Sequence, residues 1–176
     1  MTHPLPQNVQ NFLEACNIGP LADWQRRALA CALENPGIEI TVPGVPQVQG
    51  NHRVNRHGYT YDANKKLAPW RRTVALCARR AMTAASAELI EGPVHLDLEF
   101  VMPRTKAMRK DPPPPHTQRP DSSKLQRAIE DALTGIAYHD DSQITHLTVH
   151  KRRANLREQP HATITITPAP KGTPTK

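Results

Sequence analysis

The sequence is poor in aromatic side chains and cysteine, and it contains no long apolar run. Among its 176 residues there are 2 Phe, 2 Trp, 3 Tyr and 3 Cys. No stretch approaches the roughly 20 apolar residues that a membrane helix needs, and no charged-then-apolar leader opens the chain. The cysteines (Cys16, Cys31 and Cys77) form no CxxC pair, which argues against a disulfide framework and a zinc cage. We therefore expect neither a membrane protein nor a classically secreted one, and a reducing cytoplasm is the natural compartment.

Positive charge is concentrated after residue 40. The chain carries 23 Lys and Arg against 16 Asp and Glu, and 21 of those basic residues lie in residues 41–176 with 12 of the acids. The sequence pI is about 9.7. A basic body of this kind suits a polyanionic partner, most simply nucleic acid, although charge alone does not identify that partner.

Changes in composition divide the chain into three parts. Residues 1–37 predict a helical N-terminal appendage, because apolar residues recur every three to four positions around Trp24 and a Pro-Gly pair ends the pattern. Residues 38–167 predict one folded domain of ordinary size. Residues 168–176 are rich in Pro, Lys and Thr and predict a disordered tail.

Hydrophobic periodicity in residues 38–167 predicts strands where apolar residues alternate and helices where they recur every three to four positions. The predicted strands are 38–42, 94–100, one that begins at Ile144 and runs into 151–153, and 162–167; the predicted helices are roughly 66–87 and 122–134. Residues 45–64 predict an exposed loop or loose hairpin, and residues 103–120 predict a long irregular loop of a kind that is often functional. The order β-α-β-α-β-β predicts an α+β fold, in which a mixed β-sheet has helices packed on one side.

Side-chain positions on the two helices follow from the same periodicity. The buried face of the first helix is predicted to contain Trp70, Val74, Cys77 or Ala78, and Ala81. Ser122 or Ser123 is predicted to cap the second helix, and Gly135 is predicted to close it.

Aspartates flank the second predicted helix of this basic chain. Asp121 precedes the helix, and Asp140 and Asp141 lie in the turn after it. If these carboxylates converge, they offer the oxygen ligands that Mg²⁺ prefers, and beside a basic groove such a metal activates water and stabilises charge on a phosphate. Two ordinary interpretations stay open, because Asp121 suits a helix N-terminus through the dipole and Asp140-Asp141 is a common turn former.

Convergence of the two ends needs a structural explanation, because a helix of about 12 residues spans about 18 Å. Either the strand after the turn runs back antiparallel along the helix, or the partner subunit of a dimer supplies one end. Within the helix, Asp131 follows Arg127 by four residues and is expected to form an exposed ion pair with it. His139 adjoins the acidic turn and is expected to be an incidental surface histidine.

Several common catalytic signatures are missing from the sequence. No GxSxG elbow or cysteine-adjacent signature supports nucleophilic serine or cysteine chemistry. No GxxxxGK[ST] or GxGxxG segment supports nucleotide hydrolysis or dinucleotide binding, and the histidines show no HExxH spacing. The aspartates and the basic side chains therefore carry the functional hypothesis.

These residues resemble the core of the RusA family of Holliday junction resolvases, in its phage and actinobacterial form. That family reads approximately [KR]-P-D-x-D-[NK]-L-x-[KR]-x-x-x-D-A-L-[TN], followed after a short gap by D-D-x-Q-[VI]. The matching segments here are RPDSSKLQRAIEDALTG from Arg119 to Gly135 and DDSQI from Asp140 to Ile144. Further similar segments are 38–46, 64–71 and 92–100, so the resemblance covers roughly residues 38–167.

The resemblance implies a small homodimeric endonuclease that uses Mg²⁺ to nick two strands symmetrically across a four-way DNA junction, in recombination and repair. It places the protein in the cytoplasm of a bacterial or phage-infected cell. By resemblance, Asp121 and Asp141 are metal ligands with Asp140 beside them, Arg127 occupies a basic position near the scissile phosphate, and Asp131 matches a family carboxylate. Basic side chains expected to hold the DNA arms or to add positive charge beside the acids are Arg71, Arg72, Arg104, Lys106, Arg119, Lys124, Lys151, Arg152 and Arg153.

Ser123 departs from the family pattern, which usually has a second aspartate at this position. A hydroxyl is a neutral and weaker ligand, so the expected metal site loses one formal charge. This departure supports a second hypothesis, a junction-DNA-binding protein with weakened catalysis. A third hypothesis is a basic scaffold protein that uses Trp24 and the appendage for protein contacts. Arg127, at a position that is usually Lys, keeps its charge and cannot exchange a proton.

Overall fold

The structure is a computed structural model that describes most of the chain after residue 36. The described residues are 37–50, 52–54, 56, 58, 60–62, 64–105, 107–108 and 112–169, with 7, 10–11 and 20–22 near the N-terminus. Nearly all of the predicted appendage (1–37) and most of the predicted tail (168–176) lie outside these residues. Among the residues that are described, no helix is long and apolar enough to cross a membrane.

Six strands and two α-helices follow one another along this part of the chain. They are β1 (Ile38–Pro43), β2 (His52–Val54), β3 (Thr60–Asp62), α1 (Leu67–Ala84), β4 (Val94–Met102), α2 (Ser122–Leu133), β5 (Ile144–Arg153) and β6 (His161–Pro168). A 3₁₀ turn at Asp141–Gln143 leads into β5. The predicted strands and helices are confirmed, and β2 and β3 form the hairpin that was one of the two alternatives for residues 45–64.

The main sheet has four strands in the order β1-β6-β4-β5. Strand β6 is antiparallel to both β1 and β4, whereas β5 is parallel to β4. The sheet is therefore mixed, as the sequence predicts. A parallel pair requires a crossover connection, and α2 supplies it between β4 and β5.

One face of this sheet carries the core. Along β4, Leu96, Leu98 and Phe100 are buried while Asp97 between them is exposed. Trp70 of α1 and Ile129 of α2 belong to the same buried cluster. The helices thus cover the apolar face, and the α+β prediction is confirmed.

Two details of the helices differ from expectation. Of the two alternatives Cys77 and Ala78, Ala78 is the buried one, and Met82 is buried where Ala81 was predicted; Cys77 and Ala81 are only partly buried. The reason is that the stripe follows spacings of four residues after Trp70 rather than alternating threes and fours. The N-cap of α2 is Asp121, one residue earlier than predicted.

Candidate active site

Asp121 lies at the edge of the sheet where the parallel strands end. Strand β4 ends at Met102 beside Arg153, the last residue of β5. The chain then returns to begin α2, whose N-cap is Asp121. In sheets with parallel strands, ligands commonly bind outside the carboxyl ends of those strands. Asp121 therefore occupies a position that suits a functional side chain.

Lys151 fixes this edge to the start of α2. Its Nζ donates to the carbonyl oxygens of Pro120 at 2.8 Å and Gln118 at 3.1 Å. Lys151 lies on the helix-facing side of β5, paired with Phe100 of β4. The lysine ammonium group thus contacts the carbonyl of the peptide bond that joins Pro120 to Asp121.

The Asp121 carboxylate is exposed and makes no capping hydrogen bond to its own helix. Lys124 lies three residues further along α2, a spacing that places side chains on the same side of a helix. Arg119 lies two residues earlier and is exposed. The helix N-terminus and these cations attract anions.

Asp140 and Asp141 lie in the turn at the other end of α2. Asp140 is the N-cap of the 3₁₀ turn, and its Oδ1 accepts a hydrogen bond from the Ser142 backbone N–H at 2.9 Å. Hydrogen bonds from Ser142 hold the pKa of the Asp140 carboxyl below its usual value. Asp141 is exposed. The Asp140 carboxylate therefore stabilises the turn, whereas the Asp141 side chain is exposed to solvent.

Gln143 holds the acidic turn in place from both ends of its amide. Its Nε2 donates to the carbonyl oxygens of Ile90 and Gly92, both at 2.8 Å. Its Oε1 accepts the backbone N–H of His139 at 2.7 Å and that of Asp140 at 3.0 Å. The position of the two aspartates therefore depends on one glutamine.

The structure does not bring Asp121 and Asp141 of one chain together. Strand β5 does run back along α2, but it brings Lys151 to Asp121, while Asp141 lies before the beginning of the strand. The length of α2 and of the strand from Ile144 to Lys151 puts the two carboxylates on the order of 20 Å apart. The antiparallel packing of β5 along α2 is therefore present but does not bring the two carboxylates together, and a contribution from a partner subunit stays a prediction.

Other carboxylates surround Tyr138 near the acidic turn. The Tyr138 side chain is buried, and its hydroxyl lies 3.3 Å from the Glu130 carbonyl oxygen. Burial raises the pKa of Tyr138, and the charges of Glu130, Asp141 and Asp131 raise it further. Even so, the described residues contain no group of three His, Cys, Asp or Glu side chains placed to hold a metal ion. One protomer alone therefore does not fit the metal site that the resemblance implies.

Asp131 pairs with Arg71 of α1, which differs from the expected pair with Arg127. The Arg71 Nη2 donates to Asp131 Oδ2 across the two helices. Arg127 is exposed on α2. The helix-to-helix pair links α1 to α2 near the acidic turn, so Arg71 has a structural contact in addition to its expected role with DNA.

Arg152 faces away from the helices and is enclosed by two glutamates. Its Nη1 and Nη2 donate to the two oxygens of Glu158, both at 2.8 Å, and its Nε donates to Glu99 at 2.9 Å. Hydrogen bonds from Arg152 lower the pKa of Glu158 to about 2, and they also lower that of Glu99. His150 Nδ1 lies 3.3 Å from the same Glu99. The guanidinium is therefore already occupied by carboxylates.

Arg153 is the buried charge of the site, with 6% of its surface exposed. Its Nη2 donates to the Gln118 side chain at 3.1 Å, and its Nε has no partner. Burial and the nearby charges of Arg153 and Lys151 lower the pKa of His116. Arg153 and Lys151, together with the proline run 112–115, line a pocket at the end of β5.

Three other basic residues were expected to contact DNA: Arg72, Arg104 and Lys106. Arg104 donates to the Met108 carbonyl at 2.8 Å and contacts the Ala154 carbonyl at 3.5 Å, so it braces the loop. Arg72 is exposed on α1. Lys106 lies outside the described residues. Near the acidic turn, His139 lies 3.7 Å from Glu91, and both side chains are largely exposed.

Sequence reasoning missed the roles of Lys151 and Gln143. Lys151 follows Leu147 and Val149 at a spacing of two, which is the signal that places it on the helix-facing side of the strand. For Gln143 the signal was its place in the D-D-x-Q-[VI] pattern, but that pattern does not identify its four partners, which are backbone groups at 90–92 and 139–140.

Comparisons with known proteins identify the family. Residues 43–167 match the family described as "Endodeoxyribonuclease RusA". The match spans more than half of the chain, and the chain belongs to this family of Holliday junction resolvases. The chain is also similar to the "Uncharacterized protein YqaN" of Bacillus subtilis (strain 168), with 29% identity over 125 residues, 65% of this chain and 86% of that protein. The family prediction made from residues 119–144 is confirmed.

Proposed function

We propose that this member of the RusA family is an endonuclease that resolves four-way DNA junctions by paired symmetric nicks and that it depends on Mg²⁺. The observation that carries the proposal is the placement of Asp121. Its carboxylate is exposed at a helix N-terminus, at the carboxyl edge of the parallel strands, with Lys151 bonded to the preceding peptide. An acid among cations at such an edge suits a phosphodiester substrate.

The acids with proposed catalytic roles lie at the two ends of α2. Asp121 and Asp141 supply the oxygen ligands, and Asp140 orders the turn that carries Asp141. These carboxylates would hold a divalent ion, which would supply neutralisation of charge on a phosphate. Because one protomer leaves the two ligands apart, the proposed active unit is a homodimer, in which two-fold symmetry provides one site for each nick.

The test uses a synthetic four-way junction with each strand labelled. We expect paired nicks in Mg²⁺ and none in EDTA. Asp121→Asn and Asp141→Asn should each lower the nicking rate at least 100-fold while junction binding is retained, because a repulsive acid is removed from the path of the phosphate. Asp97→Asn is the matched control, since Asp97 is exposed on the sheet face without helices. Nicking by Asp121→Asn at the normal rate would contradict the proposal.

A second candidate function is junction binding with weakened catalysis. Ser123 favours it, because this exposed residue supplies a hydroxyl where the family resemblance places a carboxylate. The same assay separates the two candidates. A binding protein would hold the junction tightly in EDTA and leave every strand intact in Mg²⁺.

A further inference from the structure

Arg153 is a buried cation that lacks a carboxylate partner among the described residues. Only 6% of its surface is exposed. Its Nη2 donates to the neutral amide oxygen of Gln118 at 3.1 Å, and its Nε is buried without a hydrogen-bond partner. A buried charge is costly unless an opposite charge compensates it. The position therefore favours an anion that comes from outside the described part of the chain.

The preceding residue, Arg152, has the compensation that Arg153 lacks. Glu99 and Glu158 accept its hydrogen bonds. Successive side chains of a strand point to opposite faces, so Arg153 shares the other face with Lys151. Within the described residues, no carboxylate lies within salt-bridge distance of Arg153 or Lys151. Two cations thus lie together at this end of β5 without an acid between them.

These two cations line the pocket at the end of β5. The pocket has a volume of about 260 Å³, and its lining includes the proline run 112–115 and no Asp or Glu. Proline has no backbone N–H, so the run adds an apolar wall and no competing acid. Burial and the charges of Arg153 and Lys151 lower the pKa of the neighbouring His116, as expected beside positive charge. The size, the wall and the charge all suit one small anion.

Hydrogen-bond donors are available for such an anion. The guanidinium presents several N–H groups in a planar fork that matches a phosphate, and the Arg153 Nε is one of them. An ammonium group has three donors. Lys151 directs hydrogen bonds to two carbonyl oxygens, those of Gln118 and Pro120, which leaves a third N–H.

We propose that this pocket binds one phosphate group of the DNA backbone, beside the phosphate that is cut, through Arg153 and Lys151. The choice of DNA as the source rests on the proposed function, because Lys151 also contacts the Pro120 carbonyl next to Asp121. Phosphate contacts fix the register of a protein on DNA without reading bases. The pocket thus positions the strand, while the acids act on the neighbouring phosphate.

Inorganic phosphate is the probe for the pocket itself. An anion that binds only the folded state stabilises it by mass action. Phosphate should therefore raise the Tm of the natural protein by a few degrees over sodium chloride of equal ionic strength. Arg153→Met should lose this rise, whereas Arg80→Met, at an exposed arginine of α1, should keep it. The absence of a rise in the natural protein, or an equal rise in both variants, would overturn the proposal.

Gln118→Glu tests the pocket without removing the buried arginine. It places a carboxylate where the amide oxygen now accepts from Arg153, so the chain supplies its own anion. The Tm without phosphate should rise, and the response to phosphate should be lost. Gln159→Glu makes the same change on an exposed side chain and should keep the response. A Gln118→Glu variant that responds to phosphate as the natural protein does would contradict the assignment.

The source of the phosphate is tested with synthetic junctions that each carry one neutral methylphosphonate near the cut. Binding is measured in EDTA. At one position the substitution should weaken binding of the natural protein several-fold and leave binding of Gln118→Glu unchanged. If free phosphate raises the Tm but no position separates the two proteins, DNA is refuted as the source and the pocket holds a free phosphate. Neither measurement requires nicking, so a protein that cuts no junction would refute the proposed function and leave both results intact.

Discussion

Ser123 is one of the positions at which this chain differs from the family pattern given above, and a carboxylate can be introduced there by substitution. It is exposed in the first turn of α2, two residues after Asp121. A carboxylate there gains about 0.3–1 kcal/mol from the helix dipole, so the fold should tolerate it. The departure therefore weakens the proposed metal site without being needed for the helix.

Ser123→Asp should lower the Mg²⁺ concentration for half-maximal nicking several-fold, because it restores one carboxylate to the site. Ser122→Asp is the control, since it adds the same charge to the same turn at a position that the family pattern does not assign to metal. The measurement is a Mg²⁺ titration of junction nicking for the three proteins. If the Mg²⁺ concentration for half-maximal nicking fell equally in both variants, the added charge alone would explain the effect.

The Arg152–Glu158 pair gives stability with a defined pH dependence. Because hydrogen bonds from Arg152 lower the pKa of Glu158 to about 2 from its ordinary value of 4.5, the folded state favours the ionised form. A depressed carboxyl pKa contributes stability that is present above the unfolded value and lost as the pH falls toward 2. The arginine is thus a structural residue more than a free cation.

Glu158→Gln should lower the free energy of unfolding by about 1 kcal/mol near pH 7, in the range of partly exposed ion pairs. The difference from the natural protein should shrink between pH 4.5 and pH 2, because the natural carboxyl then becomes protonated in both states. Urea denaturation at pH 7 and pH 3 measures it. Glu88→Gln, at an exposed glutamate, should change stability at neither pH. A difference as large at pH 3 as at pH 7 would rule out the ion pair as its source.

At the scale of elements, the acidic turn depends on Gln143, whose amide contacts four backbone groups. Gln143→Glu keeps the two acceptor contacts and loses both donors. It leaves a carboxylate against the carbonyl oxygens of Ile90 and Gly92, which should cost about 1–3 kcal/mol. Nicking should fall as well, because the turn carries Asp141.

Thermal or urea unfolding and the junction assay together test this prediction. Gln159→Glu is the control, because it makes the same chemical change on an exposed side chain. Equal stability and equal nicking in the two variants would show that the amide contacts do not position the turn.

The strands and helices could be predicted because their signals are local. Alternation in VHLDLEF and the apolar stripe of SSKLQRAIEDAL each lie within one element, so β4 and α2 emerged at nearly their observed bounds. The arrangement of the site could not be predicted in the same way. Which residue of β5 lies beside Asp121 depends on the direction of β5 relative to β4, and a pattern of alternating side chains is the same for parallel and antiparallel neighbours.

At the scale of the whole molecule, the basic side chains divide into those already bonded and those available to DNA. Arg152 is held by Glu99 and Glu158, whereas Arg119 is exposed beside Asp121. From the sequence alone, Arg119 and Arg152 are both predicted to contact DNA. Only the three-dimensional partners distinguish a cation that stabilises the sheet edge from one that can release counterions on contact with a phosphate.

Junction affinity should therefore respond to salt differently in two matched variants. Each phosphate contact contributes about −0.9 to the slope of log affinity against log salt concentration, so six contacts lose about 10³ in affinity between 50 and 200 mM. Arg119→Gln should make the slope shallower by about 0.9. Arg152→Gln should leave the slope unchanged and instead lower the free energy of unfolding by about 1–3 kcal/mol, because it leaves two carboxylates without their shared partner. Binding titrations in EDTA over this salt range, paired with urea denaturation, measure both quantities. Equal slope changes in the two variants would mean that Arg152 leaves its glutamates to bind DNA.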